Sequence, residues 1–253
     1  MIYDVQKASM LKRVSAWLLD SILVLVLAVG AGALISFFTG YDGYSDQFLA
    51  SYDQYEAQYG VVFDVDQQQW EAMSEEEQAR YTEAYEAMLS DEKVMHAYNM
   101  IVNLILTSVS IGFLVSYLLL EFAVPLLLKN GQTLGKKVFS LALMRSDGVR
   151  ITPFMLFVRT VLGKYTIETM IPVLIVLMIF FGTVGLIGPT IVLVLSLIQL
   201  ILLVVSRNNT AIHDFISHTV VVDLSSQLIF DTPEDLLAYK QKIAAEKAAQ
   251  QDY

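Results

Sequence analysis

At 253 residues, 55% of them hydrophobic and 17% charged, with a mean hydropathy of +0.55, the chain is too apolar for a soluble domain of its size. The net charge of -10 has a local source: residues 40–93 hold 14 acids against 2 bases, which leaves the remainder at +2. No basic groove with interleaved aromatics speaks for nucleic acid, and the absence of Cys excludes disulfides and thiolate metal sites.

Taken from the start, Lys7, Lys12 and Arg13 precede an uncharged run over residues 21–38. Its 18 residues approach the ~20 that carry a helix across a bilayer core. Ala31-Gly32-Ala33 has the small residues of a signal-cleavage site, but Asp20 breaks the run and the run continues to Phe38, which favours an uncleaved span. Asp20 is costly at depth and must pair, face the bundle interior or lose its charge. Arg13 stands seven positions earlier, two turns away on the same helix face, and is the expected partner. Asp20 is therefore a candidate proton or cation site, with a structural role as the competing reading.

Residues 40–93 read as a helical insertion outside the membrane. Ser74-Glu75-Glu76-Glu77 is a capping-box pattern, and good helix formers follow to Met88, with the helix expected to continue past Asp91 into the second span. Tyr41, Tyr44, Tyr52, Tyr55, Tyr59 and Trp70 suit anchoring at outer headgroups; a solvated acidic cap is the alternative. The second span follows as an uncharged run over residues 97–120, closed by Glu121 near the inner boundary ahead of Pro125. Asn103, Tyr117 and Gln199 are expected to hydrogen-bond between helices.

The next loop carries Lys129, Lys136, Lys137, Arg145, Arg150, Arg159 and Lys164 against Asp147 alone, which places it inside the cell together with the N-terminus. Residues 136–144 pattern as a strand, Ser146-Asp147-Gly148 as a turn, and residues 149–152 and 219–222 as further strands of a small inner sheet. Residues 153–164 suit an interfacial helix, and Glu168 a headgroup-level charge. The uncharged run over residues 169–206 is nearly twice too long for one span, and Gly185-Leu186-Ile187-Gly188-Pro189 interrupts it, giving two spans or one bent one. Arg207 closes the last span, His213-Asp214 follows with His218 nearby, and Thr232-Pro233-Glu234-Asp235 starts a tail helix.

The expected architecture is an all-α membrane protein of four transmembrane helices, with a small cytoplasmic β element and an extracellular helical insertion. Its segments run 1–39, 40–93, 94–128, 129–165, 166–206 and 207–253, and both termini lie in the cytoplasm. No nucleophile elbow, phosphate-cradling glycine loop or zinc-protease helix occurs, so no enzyme, metal or cofactor is expected.

Several motifs together resemble the RDD family of bacterial membrane proteins. They are Arg13 and Asp20 in Lys12-Arg13-Val14-Ser15-Ala16-Trp17-Leu18-Leu19-Asp20; the loop Gly131-Gln132-Thr133-Leu134-Gly135-Lys136-Lys137; the stretch from Asp147-Gly148 to Arg159; and His213-Asp214 before Thr219-Val220-Val221-Val222. The resemblance covers roughly residues 7–223, broken by the insertion. It maps the family's arginine and two aspartates onto Arg13, Asp20 and Asp214, with Glu121 and Arg159 as further pathway candidates. It implies a bacterial cytoplasmic membrane and one of two roles. The first is proton-coupled exchange of a monovalent cation such as sodium through Asp20. The second is non-enzymatic regulation of another membrane protein such as a protease. The lipid bilayer, a second copy of the chain or another membrane protein are the expected partners.

Overall fold

A computed structural model describes residues 5–128, 130–182, 185–206 and 208–251, with side chains as far as residue 248. Lys129 and Arg207, two of the basic residues used above to orient the chain, lie outside the described residues. Among the described residues four helices are long and apolar enough to cross a membrane: α1 (Met10–Thr39), and, further along, Glu92–Leu127, Pro153–Phe180 and Ile187–Val205. No more than 17% of the most apolar window of any of them is buried within the protein, so their apolar faces turn outward. That is the reverse of a soluble bundle. In α1 the buried residues are Ala16, Asp20, Val24 and Ala28, a stripe at four-residue spacing with the carboxylate inside it. Leu18, Ile22, Leu25, Val26 and Val29 cover the rest of the helix and are exposed.

The chain divides into two compact units, and the division crosses α1 and the helix from Glu92. The unit Gly32–Val109 holds α2 (Tyr41–Tyr59), α3 (Gln67–Ala72), α4 (Glu75–Ser90) and the first part of α5 (Glu92–Leu127). Its core is Phe63, Ala84, Met88 and Val94, walled by Phe48, Tyr52, Tyr55, Tyr59 and Tyr81. Phe63 meets Tyr52, Tyr81 and Tyr85 edge-on at 5.2–6.0 Å between ring centres, and Trp70 meets Tyr81 at 5.1 Å. Tyr52, Tyr55, Tyr59 and Trp70 thus build an aromatic core instead of the headgroup belt expected of them. The capping box at Ser74 and Glu77 is present, and Asp66 with Gln69 forms a second one ahead of α3. α4 does not run on into α5. Asp91 breaks it with extended backbone, its carboxylate accepting the Lys93 N–H at 2.8 Å.

In the other unit, α6 (Leu134–Val138) replaces the start of the expected strand, because Thr133 caps a helical turn by accepting the Lys136 N–H. β1 (Leu141–Arg145) follows and pairs antiparallel with β2 (Thr219–Asp223), Leu141 opposite Asp223 and Arg145 opposite Thr219. Val149 and Arg150 make single bridges, to Phe230 and Met144, instead of a full third strand. The sheet is covered on both faces. Leu141, Leu143 and Val221 pack with Ala16 and Leu156, while Ala142, Met144, Val220 and Val222 form a second cluster, the alternation that the pleat imposes.

α7 (Pro153–Phe180) starts where the interfacial helix was expected but does not stop at Lys164; the supposed surface helix is the first part of the third apolar helix. Its middle, Val158–Met170, is a wide π stretch, as is Tyr117–Ala123 in α5. α8 (Ile187–Val205) is a separate helix packed on α7, so the long run makes two helices and not one bent span. α9 (Ile212–Ile216) precedes β2, and α10 (Pro233–Gln251) follows it.

Candidate functional site

Five elements of the unit that carries the sheet bring their charges to one place. α1 gives Arg13 and Asp20, and α5 gives Glu121. The α6 turn gives Lys136, α7 gives Arg159, Lys164 and Glu168, and α9 gives His213 and Asp214. These line one cavity of about 700 Å³ whose remaining wall is largely apolar, including Val24, Phe113, Ile167 and Leu195. A π stretch hydrogen-bonds over five residues instead of four. Arg159, Lys164 and Glu168, spaced by five and four, therefore come to one face of α7, which an α-helical count would have fanned apart.

Asp20 does not pair with Arg13. Its Oδ2 accepts the Thr133 hydroxyl at 2.5 Å and its Oδ1 accepts the Gly135 N–H at 2.7 Å. Thr133 Oγ1 in turn receives the Lys136 N–H and ammonium, so its own proton points to the carboxylate. Asp20 thus accepts a hydrogen bond at each of its two oxygens. The contact is close because position 135 has no side chain: a Cβ there would stand 2.3 Å from Ala16 O and 2.9 Å from Asp20 Oδ1. The rest of the loop motif fixes the turn. Gln132 donates to Leu141 O at 2.6 Å, and Gly131 sits where a Cβ would meet that of Leu143 at 2.9 Å.

Arg13 reaches the other aspartate. Its guanidinium donates to the carbonyls of Asn209 and Asn208 and lies 3.7 Å from Asp214. The stronger partner of Asp214 is Arg159, at 2.9 Å with both side chains 1% exposed; Thr219 adds a hydroxyl donor at 3.0 Å. Burial alone would raise the Asp214 carboxyl, but Arg159, His213 and Arg13 outweigh it and hold it below the ordinary carboxylate range. The expected triad of one arginine and two aspartates thus splits in two: Asp20 holds the loop, and Asp214 holds two arginines.

Two further pairs were not legible as pairs. Glu121 is buried with Lys164 Nζ 2.6 Å away. Glu168, expected at headgroup level, accepts both the backbone N–H of His213 at 2.9 Å and its Nδ1–H at 2.7 Å. Burial, then Arg159, lower the His213 pKa against the pull of Asp214 and Glu168, so the ring is neutral at neutral pH with its proton on Nδ1. α9 comes this near α7 because residue 163 is glycine; a Cβ there would lie 2.5 Å from that of His213. His218 is exposed and apart from the cluster. Tyr117 and Gln199 do hydrogen-bond across elements, to Thr169 and to the Ile212 N–H, whereas Asn103 is exposed.

Lys136 differs from its neighbours. It is buried, its ammonium donates to Thr133 Oγ1 at 3.2 Å, and no carboxylate lies within ion-pair distance of it among the described residues. Burial, with Lys164 and Arg159 adding to it, brings its pKa down to about 7, while Glu121 and Asp20 pull the other way.

The family model that matches is that of the RDD family, over residues 7–218. The chain belongs to the RDD family. The match takes in every residue of the cavity cluster and both buried aspartates. No curated protein and no solved structure matches the chain. Among the described residues no group of three or more His, Asp or Glu is placed to hold a metal ion, since the RDD chain spreads its carboxylates over separate cationic or hydrogen-bonding partners.

Proposed function

We propose that this RDD chain is a proton-coupled carrier of a monovalent cation, set in the cytoplasmic membrane with the sheet and both termini inside. The observation that carries the reading is the cavity itself, where four carboxylates meet four lysine and arginine side chains and one histidine among the apolar helices. A bundle held only for stability gains little from such groups, because well-packed apolar residues are as stable as buried ion pairs or more so. Charges retained at membrane depth mark ion or proton pathways. Glu168, whose side chain is 20% exposed, is the carboxylate that first meets an entering cation. Asp20 serves by holding the loop that carries Lys136.

Purified protein in liposomes, loaded with a pH-sensitive dye and pulsed with sodium or potassium chloride, should move protons against the cation gradient, and Glu168→Gln should slow this at least tenfold. Liposomes that stay silent for both cations overturn the carrier reading. The regulator reading, which rests on α10 standing exposed over most of its length, would then take its place.

A further inference from the structure

The eight charged side chains around the cavity do not play equal parts. Asp20 is committed at both oxygens, Glu121 to Lys164, Glu168 to His213, and Asp214 to Arg159 and Arg13. Among the described residues Lys136 alone of these is a buried cation held only by a neutral hydroxyl. The charges that face it come from three elements: Asp20 on α1, Glu121 on α5, and Lys164 with Arg159 on α7. The two carboxylates are already matched by donors of their own, so the ammonium has no counter-ion to itself.

We propose that Lys136 is the proton-exchanging group of the cavity, and that each proton it gives up is replaced there by one monovalent cation. With His213 neutral, four carboxylates and four cations cancel while Lys136 is protonated. Deprotonation leaves the amine neutral and the cavity one negative charge in excess. A monovalent cation entering beside Glu121 and Asp20 restores the balance, so that Lys136–NH3⁺ and an incoming cation become Lys136–NH2, a bound cation and a released proton. Exchange is then one for one and electroneutral. The carboxylates never have to be protonated, which their donors oppose. The depressed pKa of Lys136 places the exchange within reach of neutral pH.

The inference rests on the carrier reading for its use but not for its measurement. Full-length protein carrying ¹³Cε-lysine, in detergent or nanodiscs, gives the titration of each lysine by NMR, and the signal missing from Lys136→Arg identifies this one. A midpoint within about one unit of pH 7 is expected, against roughly 10 for exposed lysines. If Lys136→Arg does not fold, the pH dependence of acetylation of wild-type protein, read at this lysine by mass spectrometry, supplies the same midpoint. A Lys136 midpoint above about pH 8, toward the value of an exposed lysine, overturns the inference, whatever the liposomes do. A midpoint near neutrality with silent liposomes keeps the proton site and removes the carrier reading. Where exchange is seen, a rate that follows an imposed membrane potential would overturn the one-for-one stoichiometry.

Discussion

The two compact units solve burial in opposite ways. Gly32–Val109 is rich in acids but keeps them at its surface and fills its centre with rings, Phe63 among the tyrosines. The unit carrying the sheet has few charges in its apolar helices, yet its largest fully buried side chain is Arg159, and Asp20, Glu121, Lys136, Lys164 and Asp214 are buried around the same cavity. Composition therefore points to the wrong place. The region with most of the negative charge has an aromatic core and a solvated face, whereas the apolar region holds the buried charges. What matters is whether a charge is taken out of water, since a buried ion costs several kcal/mol unless partners are supplied.

Removing a partner should break the charge-cored unit first. Arg159→Leu leaves Asp214 buried with only the more distant Arg13, and a loss of about 3–5 kcal/mol is expected, read as a collapse of the monodisperse peak in detergent size-exclusion chromatography. The matching deletion in the aromatic unit, Phe63→Ala, should cost about as much by cavity formation. Its effect should stay local, with amide exchange quickened around α2 and α4 and the Lys136 midpoint unmoved.

A smaller effect sharpens the account of Asp20. Asp20→Asn removes charge-assisted hydrogen bonds worth about 1.5–3 kcal/mol each, while Arg13→Gln weakens the hold on Asp214. Because the two side chains serve different partners, their losses in melting experiments should add to within about 0.5 kcal/mol. Strong coupling between them would restore the direct pair that their spacing implied. In the same range, Gly163→Ala should cost about 1–3 kcal/mol through the overlap with His213.

The pH dependence has a definite sign. The folded pKa of Lys136 lies below its unfolded value, so between about pH 7 and 10 the unfolded chain binds the extra proton and stability rises with pH. Below pH 7 both forms are protonated and the cost of the buried ammonium is fully present. Lys136→Met should therefore raise the melting temperature at pH 6 and flatten this rise. The smallest effect belongs to the aromatic unit, where Ser74→Ala removes a capping box and about 1 kcal/mol with no change in the charged cavity.

Much of the architecture was readable from periodicity and charge. The four apolar helices, the break within residues 169–206, the β-branched run of β2 and the Ser74 cap all follow from local rules. The pairing of charges did not. Residues 13 and 20 share a helix face by α-helical spacing, but the loop brings Gly135 onto Ala16 and takes Asp20 first, a tertiary contact that spacing cannot show. The pairings of Arg159, Lys164 and Glu168 stay hidden because their partners, Asp214, Glu121 and His213, are 55, 43 and 45 positions away in sequence. The π stretch that aligns them has no composition signature. The core role of Tyr52, Tyr55 and Tyr59 is hidden for a related reason, since an amphipathic ring fits a headgroup layer and a small core equally well.

Proton release on cation binding tests the central claim most directly. Purified protein in unbuffered solution near pH 6, where a Lys136 with a pKa of about 7 still carries its proton, should release up to about one proton per chain when given sodium or potassium chloride, with choline chloride as the control, and Lys136→Met should release none. No release from the wild type for either cation, or an undiminished release from Lys136→Met, would contradict the account.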